Sequence, residues 1–139
     1  MSTDNNKSTW LDKDTSLMWQ VDINGEEYTL ADALEYVEKL NNTMYGGYDD
    51  WKIPTIDELQ TILTDNANKN SYNNNYYIKK SLSDSMEVSS GSVYFWSSSQ
   101  ATNYDFYMYG AWGINFRDRR KLDADTDRIR PVRCVRVNR

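Results

Sequence analysis

Residues 50–60, DWKIPTIDELQ, form the stretch of sequence that decides the fold. Pro54 precedes Thr55, and Glu58 follows three residues after Thr55, which is the spacing of a capping box. In this motif the Thr hydroxyl accepts a hydrogen bond from the Glu backbone amide, and the Glu carboxylate accepts one from the Thr backbone amide. The pattern predicts a helix that begins after Thr55. Its apolar face would consist of Ile56, Leu59, Ile62 and Leu63.

A first helix is predicted upstream of this stretch. Thr29 suits the N-cap position, and apolar side chains recur after it at helical spacing. These apolar positions are Leu30, Ala33, Leu34, Val37 and Leu40. The helix is expected to end near Gly46 and Gly47, because glycine readily takes the left-handed conformation that closes a helix.

Short strands are predicted on both sides of these helices. They cover residues 9–11, 17–21, 93–96, 111–116 and 132–137. The last one, VRCVRV, breaks strict alternation, which predicts either a covered central strand whose guanidiniums find partners or a bulge. Residues 65–91 are rich in Asn and Ser, which predicts a long irregular surface loop. Together these elements describe an α+β domain.

The composition excludes several classes of protein and site. Aromatic residues make up 14% of the 139 residues, which is too many for a disordered chain. The single cysteine, Cys134, and the absence of histidine exclude an internal disulfide, a His-ligated metal and a Ser-His-Asp nucleophile. No apolar run approaches the roughly 18 residues of a membrane span, so no membrane insertion is expected. Residues 1–9 lack the apolar segment of a signal peptide, and we expect a polar leader at 1–8 followed by one domain at 9–139.

The charge is unevenly distributed along the chain. Residues 1–116 contain 7 basic and 17 acidic side chains, whereas residues 117–139 contain 9 basic and 4 acidic ones. A basic end on an acidic body is compatible with a polyanionic partner, but also with arginines that pair with carboxylates of the same chain. Nucleic acid is not expected as a partner, because aspartates interleave the arginines and the acidic body would repel a phosphate backbone.

Several motifs, in this order, resemble those of a known family. They are DTSLMWQ at 14–20, DWKIPTIDELQ at 50–60, FWSSS at 95–99, Ala111-Trp112 with Asn115-Phe116, and VRCVR at 132–136. Over about residues 9–137 the chain resembles the Lcl C-terminal domain family, a bacterial group with a C-type lectin-like fold. The family usually has Gly where Ser16 stands and a small turn residue where Arg119 stands, so these departures fall in turns.

The resemblance implies a C-type lectin-like fold in which two helices pack on small antiparallel sheets, with the N- and C-terminal strands close together. It also implies a binding module rather than an enzyme, in a secreted or surface-exposed bacterial protein, and some members are thought to bind glycans. The expected partner is therefore a protein or a glycan, bound without a cofactor. An oligomer is compatible with this function.

Two kinds of chemistry that occur on the C-type lectin-like fold are disfavoured by the residues. Calcium-dependent sugar binders use an acid-Pro-Asn or Gln-Pro-Asp tripeptide with Trp-Asn-Asp, and neither occurs here. The best calcium candidate, DADTD at 123–127, has Arg128 where an EF-hand loop needs Gly, and no metal site is expected. Formylglycine-generating oxidases depend on two reactive cysteines, whereas Cys134 stands alone. An enzyme of this or another type is the disfavoured alternative.

A variable protein of a diversity-generating retroelement is an open alternative on the same fold. Such proteins carry a hypervariable stretch before a constant C-terminal strand, and the corresponding segment here is residues 101–122. Tyr, Arg and Asn in this segment suit an adaptable binding surface. Whether the chain is such a variable protein or another binding module, the expected ligand-binding residues are the same. They are Asn103, Tyr104, Tyr107, Tyr109, Asn115, Arg117, Arg119 and Arg120.

Other prominent residues are expected to be structural. Large aromatic side chains carry much of the burial in a small polar domain, so four tryptophans are assigned to the core. These are Trp19, Trp51, Trp96 and Trp112. Cys134 is expected to behave as an inert small hydrophobe in a core strand.

Overall fold

The computed structural model describes residues 8–23, 26–86, 94–100, 110–125 and 128–138. This part of the chain has an α+β architecture with three small antiparallel sheets. Its helices are α1 (Leu30–Asn42), α2 (Ile56–Gln60) and α3 (Lys80–Ser83). Its strands are β1 (Thr9–Asp12), β2 (Leu17–Gln20), β3 (Leu63–Lys69), β4 (Asn75–Ile78), β5 (Tyr94–Gln100), β6 (Gly110–Asn115), β7 (Lys121–Asp125) and β8 (Val135–Val137).

The first sheet joins the two ends of the described chain. Its strand order is β1-β2-β8, and β2 pairs antiparallel with both neighbours. Thr9 lies opposite Gln20 in one pair, and Val137 lies opposite Leu17 in the other. The predicted strands at residues 9–11 and 17–21 are therefore confirmed, and the N- and C-terminal strands share one sheet.

The capping box predicts the start of α2 correctly. The Thr55 hydroxyl accepts a hydrogen bond from the Glu58 amide at 3.1 Å, and the Glu58 carboxylate accepts one from the Thr55 amide at 2.9 Å. Helix α2 is shorter than the apolar pattern suggests, because the chain turns at residues 61–62 and Leu63 begins β3. Leu59 and Ile62 are nevertheless fully buried, so the predicted apolar positions still reach the core.

Helix α1 also begins where the sequence predicts, with the Thr29 hydroxyl accepting a hydrogen bond from the Asp32 amide at 3.2 Å. The helix ends at Asn42 rather than at the glycines, and a separate 3₁₀ turn follows at Tyr45–Gly47. Ala33, Val37 and Leu40 are buried as expected. The assignment of Leu34 to the same face is wrong, since its side chain is 55% exposed.

The prediction of a long irregular loop at residues 65–91 is wrong for its described part. Strands β3 and β4 form a hairpin there, and α3 follows directly. The buried Asn70 side chain organises the turn, because its amide oxygen accepts hydrogen bonds from the backbone of Tyr72 (2.9 Å) and Asn74 (3.0 Å). Its amide nitrogen donates to the Met86 carbonyl. The asparagines here therefore act as turn builders rather than as a solvated tract.

The buried side chains form two clusters. One surrounds Trp19 and includes Leu59, Ile62, Tyr76, Ile78, Leu82, Met86, Phe95, Ile114 and Phe116. The other surrounds Trp51 and Trp96 and includes Ala33, Val37, Leu40, Ile53, Val132 and Cys134.

Three of the four tryptophans assigned to the core are thus found in these two clusters. The assignment of Trp112 is wrong, because its side chain is only half-buried on the sheet β5-β6-β7. The adjacent outer strand β7 exposes Lys121 and Leu122, so this part of the sheet is incompletely covered.

The C-terminal motif VRCVRV forms a shorter strand than predicted. Residues 132–135 are buried, but only Val135–Val137 belong to β8. The expectation of a central strand is wrong, because β8 lies at the edge of the sheet β1-β2-β8, but the arginines of the motif are buried and both guanidiniums find partners. The Arg136 Nε donates to Asp50 Oδ1 at 2.6 Å, and the Arg133 Nη1 donates to the Gln20 carbonyl at 2.6 Å.

Candidate functional site

The turn between β6 and β7 displays most of the expected ligand-binding residues that the structure describes. The two strands pair from Gly110 opposite Asp125 to Ile114 opposite Lys121. Beyond them, the Asn115 amide donates to the Arg120 carbonyl and the Arg119 amide donates to the Asn115 carbonyl, both at 2.9 Å. These bonds close a short turn that presents consecutive polar side chains to solvent.

Two side chains of the turn itself fix its backbone. The Asn115 Oδ1 accepts a hydrogen bond from the Arg117 amide at 2.8 Å, which is an Asx turn. The Asp118 Oδ1 accepts one from the Arg120 amide at 3.0 Å. Because Asn115 is committed to the turn, its contribution to the site is to hold the neighbouring arginines in place.

The turn rests on the β3–β4 hairpin. The Tyr77 amide donates to the Phe116 carbonyl at 2.7 Å. The Arg117 guanidinium lies 5.7 Å from the ring centroid of Tyr76, and the Arg119 guanidinium lies 5.9 Å from that of Tyr77. Contacts of this kind are attractive because the ring face is electron-rich. They give the two cationic side chains a preferred direction without burying their charges.

The ion pairs of the turn are exposed. The Arg119 Nη2 lies 3.0 Å from Asp65 Oδ1, and the Asp65 side chain is 94% exposed. The Arg120 Nε lies 4.0 Å from Asp118 Oδ2, and the Arg120 side chain is 70% exposed. Such pairs contribute little to stability in water, so the guanidiniums stay available to a ligand at small cost.

An aromatic and an apolar group lie on the two strands that the turn joins. The Lys121 Nζ lies 5.2 Å from the ring centroid of the half-buried Trp112. Leu122, the next residue of β7, is 42% exposed. We call this region the hairpin surface. It comprises Trp112, Arg117, Arg119, Arg120, Lys121 and Leu122.

Burial controls the chemistry of two groups away from the hairpin surface. It raises the pKa of the Cys134 thiol to about 12, so a thiolate is essentially absent at neutral pH. Burial lowers the pKa of Arg133 to about 10, which leaves this guanidinium charged at neutral pH. Neither group is therefore placed to act as a nucleophile or a general base.

The described residues contain no group of three or more acidic or cysteine side chains that could hold a metal ion. The calcium candidate at 123–127 lies largely outside this description, since only the backbone of residues 123–125 is described, as the end of β7. In the same part of the chain, no helix is long and apolar enough to cross a membrane.

A family model for the Lcl C-terminal domain matches residues 8–136. The chain belongs to the Lcl C-terminal domain family. Neither the curated proteins nor the solved structures contain a significant match. The matched range runs from just before β1 to the middle of β8, so nearly the whole described fold, including the hairpin surface, lies within the Lcl C-terminal domain.

Ser16 and Arg119, at which the resemblance leads us to expect glycine or a small turn residue, share one backbone property. Ser16 has φ +60° and Arg119 has φ +69°, both in the left-handed region that favours glycine. A side chain there costs on the order of 1 kcal/mol relative to glycine. Glycine at either position would avoid this cost.

The structure brings together four of the eight expected binding residues. Arg117, Arg119 and Arg120 lie on one exposed turn, and Asn115 lies at its base. The other four, Asn103, Tyr104, Tyr107 and Tyr109, lie outside the described residues. Sequence reasoning missed Lys121 and Leu122, although they directly follow the arginines. It also missed Tyr77, because the Asn-rich composition around that residue gave no sign of a strand.

Proposed function

We propose that this Lcl C-terminal domain is a non-catalytic binding module that recognises a protein or a glycan through the hairpin surface. The observation that carries the proposal is Arg119. This residue keeps a long charged side chain at φ +69°, where glycine would be less strained, and the side chain makes only an exposed ion pair and a ring contact among the interactions described. Ser16, Met44 and Asn73 also have positive φ in the described part of the chain, and the exposed arginine among these four residues supports a contact with something outside the domain.

The composition of the hairpin surface supports the same function. Arginine and tryptophan are the residue types that most often dominate binding energy at interfaces. Here Arg117, Arg119 and Arg120 lie on a turn whose backbone is held by its own side chains, and Trp112 lies on β6, the strand that leads into the turn. A rigid turn loses little conformational entropy when a ligand binds, so more of the contact energy appears as affinity.

A catalytic role for Cys134 is disfavoured by its surroundings. The side chain is fully buried, and its pKa is raised to about 12 by burial. An oxidase that depends on a reactive thiolate needs an accessible cysteine of lowered pKa. We therefore propose binding rather than catalysis.

We also propose that the domain has the C-type lectin-like fold. It is supported by family membership and by three features of the described architecture. The N- and C-terminal strands share a sheet, two capped helices precede the second half of the chain, and the sheets are small and antiparallel. An experimental structure of the domain, compared with known C-type lectin-like domains, would test it.

A narrower form of the functional proposal is that this protein is a variable protein of a diversity-generating retroelement. Within residues 101–122, a Cβ added at Gly113 would overlap the Tyr94 ring and the Phe95 carbonyl, and Ile114 is fully buried. Sequencing further copies of this gene region should then show changes at Arg117, Arg119 and Arg120, while Gly113 and Ile114 stay constant. Identical copies, or changes spread evenly over the segment, would contradict it.

The function is tested by screening the purified domain on arrays of glycans and cell-surface proteins and titrating the best hit. Arg119→Ala should weaken that binding about tenfold, on the order of 1–2 kcal/mol, with the melting temperature nearly unchanged. Trp112→Ala should weaken it comparably. Lys13→Ala is the matched control, because Lys13 is an exposed cation in the β1–β2 turn.

Equal binding by the parent, Arg119→Ala and Lys13→Ala would show that the ligand binds elsewhere. Early melting of the hairpin variants would instead assign these side chains to the fold, and Arg120→Ala would then report on binding, because the Arg120 side chain is 70% exposed. If Arg120→Ala also left affinity unchanged, the hairpin surface would not be the binding site.

A further inference from the structure

A cavity of about 500 Å³ opens between the first sheet and helix α3. Thr9 and Trp10 of β1 and residues 21–23 after β2 line one side, and Ser81, Asp84 and Ser85 line the other. Its volume lies within the range of roughly 300–1,000 Å³ that is typical of small-molecule sites. The cavity shares no residue with the hairpin surface, so it is a separate feature of the domain.

The buried Arg133 gives this cavity a preformed shape. Its Nη1 donates to the Val21 carbonyl at 3.0 Å, and its Nη2 donates to the Ser85 hydroxyl at 3.1 Å. Val21 and Ser85 lie on opposite sides of the cavity. Because Arg133 is 1% exposed, its guanidinium connects the two sides from behind and is not itself available to a ligand.

The lining of the cavity is acidic. Asp22 and Asp84 are its charged residues, and both are exposed to solvent. Neither carboxylate takes part in an ion pair within the described part of the chain. An ionised carboxylate accepts hydrogen bonds and offers no donor. A complementary ligand therefore carries positive charge together with hydrogen-bond donors.

The neighbouring lysines do not supply this positive charge. The Lys79 Nζ lies 2.9 Å from the Asp12 carboxylate, so its charge is already paired. Lys79 also approaches the Trp10 ring, at 5.9 Å from the centroid, but it does not line the cavity. The part of Trp10 that does line the cavity therefore stays open to a ligand. Lys80, at the exposed start of α3, is likewise outside the lining.

The charge of Arg133 behind the wall does not cancel the acidic lining. Burial lowers the pKa of Arg133 to about 10, and the negative charge of Asp22 opposes this lowering. Asp22 therefore balances one buried positive charge, whereas the described residues place no cation within ion-pair distance of Asp84. One negative charge is left over, and a single positive charge on a ligand would neutralise it.

The lining suits an organic cation with a flat charged group. Hard metal ions such as Ca²⁺ take about six to eight oxygen ligands, whereas this lining offers two carboxylates beside an indole ring. A guanidinium is planar, has five N–H donors, stacks on aromatic faces and is more weakly hydrated than an ammonium. These properties match Asp22 and Asp84 on the two sides of the cavity and the half-buried Trp10 between solvent and core.

We propose that this cavity binds a guanidinium group. The N–H groups donate hydrogen bonds to the carboxylates of Asp22 and Asp84, and such charge-assisted bonds are the stronger ones in proteins. The plane of the group stacks on the part of the Trp10 ring that lines the cavity, where the electron-rich face attracts a cation. This site is additional to the hairpin surface, and neither site depends on the other.

The test titrates the full chain with ethylguanidinium chloride, followed by saturation-transfer NMR. Ethylurea is the neutral ligand of the same shape, and propylammonium is the compact cation. Ethylguanidinium should bind with a dissociation constant on the order of 1–10 mM, and ethylurea should bind about tenfold more weakly or worse, because it lacks the charge.

The matched variants remove one carboxylate charge each and keep the shape of the side chain. Asp84→Asn should raise the dissociation constant of ethylguanidinium about fivefold or more, since a hydrogen bond to a charged group is weakened. Glu35→Gln is the control, because Glu35 is an exposed carboxylate on α1 outside the cavity lining. Asp22→Asn provides a second cavity variant if Asp84→Asn melts early, and it should weaken binding as well.

Two further probes identify the source of the guanidinium. Nα-acetylarginine N-methylamide represents an arginine within a protein segment, and free arginine represents a small molecule. Tighter binding of the amide assigns the site to an arginine of a partner protein, and tighter binding of free arginine assigns it to a small molecule. Either order supports a guanidinium site.

Arg119→Ala should leave ethylguanidinium binding unchanged, which separates this site from the hairpin surface. The proposal is overturned if ethylguanidinium does not bind, or if ethylurea or propylammonium binds as tightly. It is also overturned if the cavity variants bind ethylguanidinium as tightly as Glu35→Gln does.

Discussion

Arg133 and Arg120 lie in the same basic end of the chain, yet the Arg133 residue is 1% exposed and the Arg120 side chain is 70% exposed. Arg133 donates to two backbone carbonyls and a hydroxyl, whereas Arg120 only approaches the neighbouring Asp118 at 4.0 Å. The excess of positive charge after residue 116 therefore divides into a buried part, which connects segments of the fold, and an exposed part on the hairpin surface.

The largest expected effect is on the buried side of this comparison. Arg133→Ala should lower the free energy of unfolding by on the order of 3 kcal/mol or more, because it leaves the Gln20 and Val21 carbonyls without this donor and opens a cavity. Urea denaturation measures the change. Arg120→Ala is the matched control and should change stability by less than about 0.5 kcal/mol. Similar losses of stability in Arg133→Ala and Arg120→Ala would contradict the distinction between a buried and an exposed group of arginines.

Alkaline pH should change the stability contributed by the buried region. Burial raises the pKa of Cys134 to about 12 from 9.0, and that of Tyr45 to about 12 from 10.0. A raised folded-state pKa means that the stabilisation is complete below the unfolded-state value and is lost as the pH rises from about 9 to about 12. Burial lowers the pKa of Arg133 to about 10 from 12.5, which acts in the opposite direction above about pH 10, so the net decline is expected to be steepest between pH 9 and 10.

Urea titrations at several pH values would measure this fall in stability, with a slope of up to about 1.4 kcal/mol per pH unit for one group. Cys134→Ala should make the decline shallower, since Tyr45 remains. An unchanged slope in Cys134→Ala would mean that the thiol is more accessible to water than its burial implies.

The smallest expected effect concerns Ser16 and Arg119, two of the four non-glycine residues with positive φ in the described part of the chain. Ser16→Gly and Arg119→Gly should each raise the free energy of unfolding by about 0.5–1 kcal/mol, because glycine takes this conformation without strain. Thermal melts measure the gain. Only Arg119→Gly should weaken ligand binding, since only Arg119 belongs to the hairpin surface. A loss of stability in Arg119→Gly would show that its contacts with Asp65 and Tyr77 outweigh the strain.

Features set by neighbouring residues could be predicted from the sequence. The N-caps Thr29 and Thr55 depend on a hydroxyl and an amide three residues apart, so the spacing alone predicts them. The segments that form β1, β2 and β6 could also be predicted from their runs of apolar and aromatic residues. The exposed arginines of the hairpin were predicted as a set because they follow one another in the chain.

Features that depend on distant residues could not be predicted in this way. Asn70 is buried because its amide nitrogen reaches the Met86 carbonyl, and no local pattern distinguishes it from the other asparagines around it. Trp112 has the residue type of a core position, but its burial depends on how far neighbouring strands cover the sheet. The cavity of about 500 Å³ between the first sheet and α3 could not be predicted either, since its lining comes from three separate segments of the chain, at residues 9–10, 21–23 and 81–85.

The arrangement of the first sheet has a mechanical consequence. Strands β1 and β8 run parallel to each other on either side of β2, with Thr9 near one end of β2 and Val137 near the other. A pulling force applied between these two residues would act along the strands and therefore across their hydrogen bonds, which are perpendicular to the strands. The bonds of the sheet would be sheared together instead of being opened one by one, which favours slow unfolding of the domain under tension.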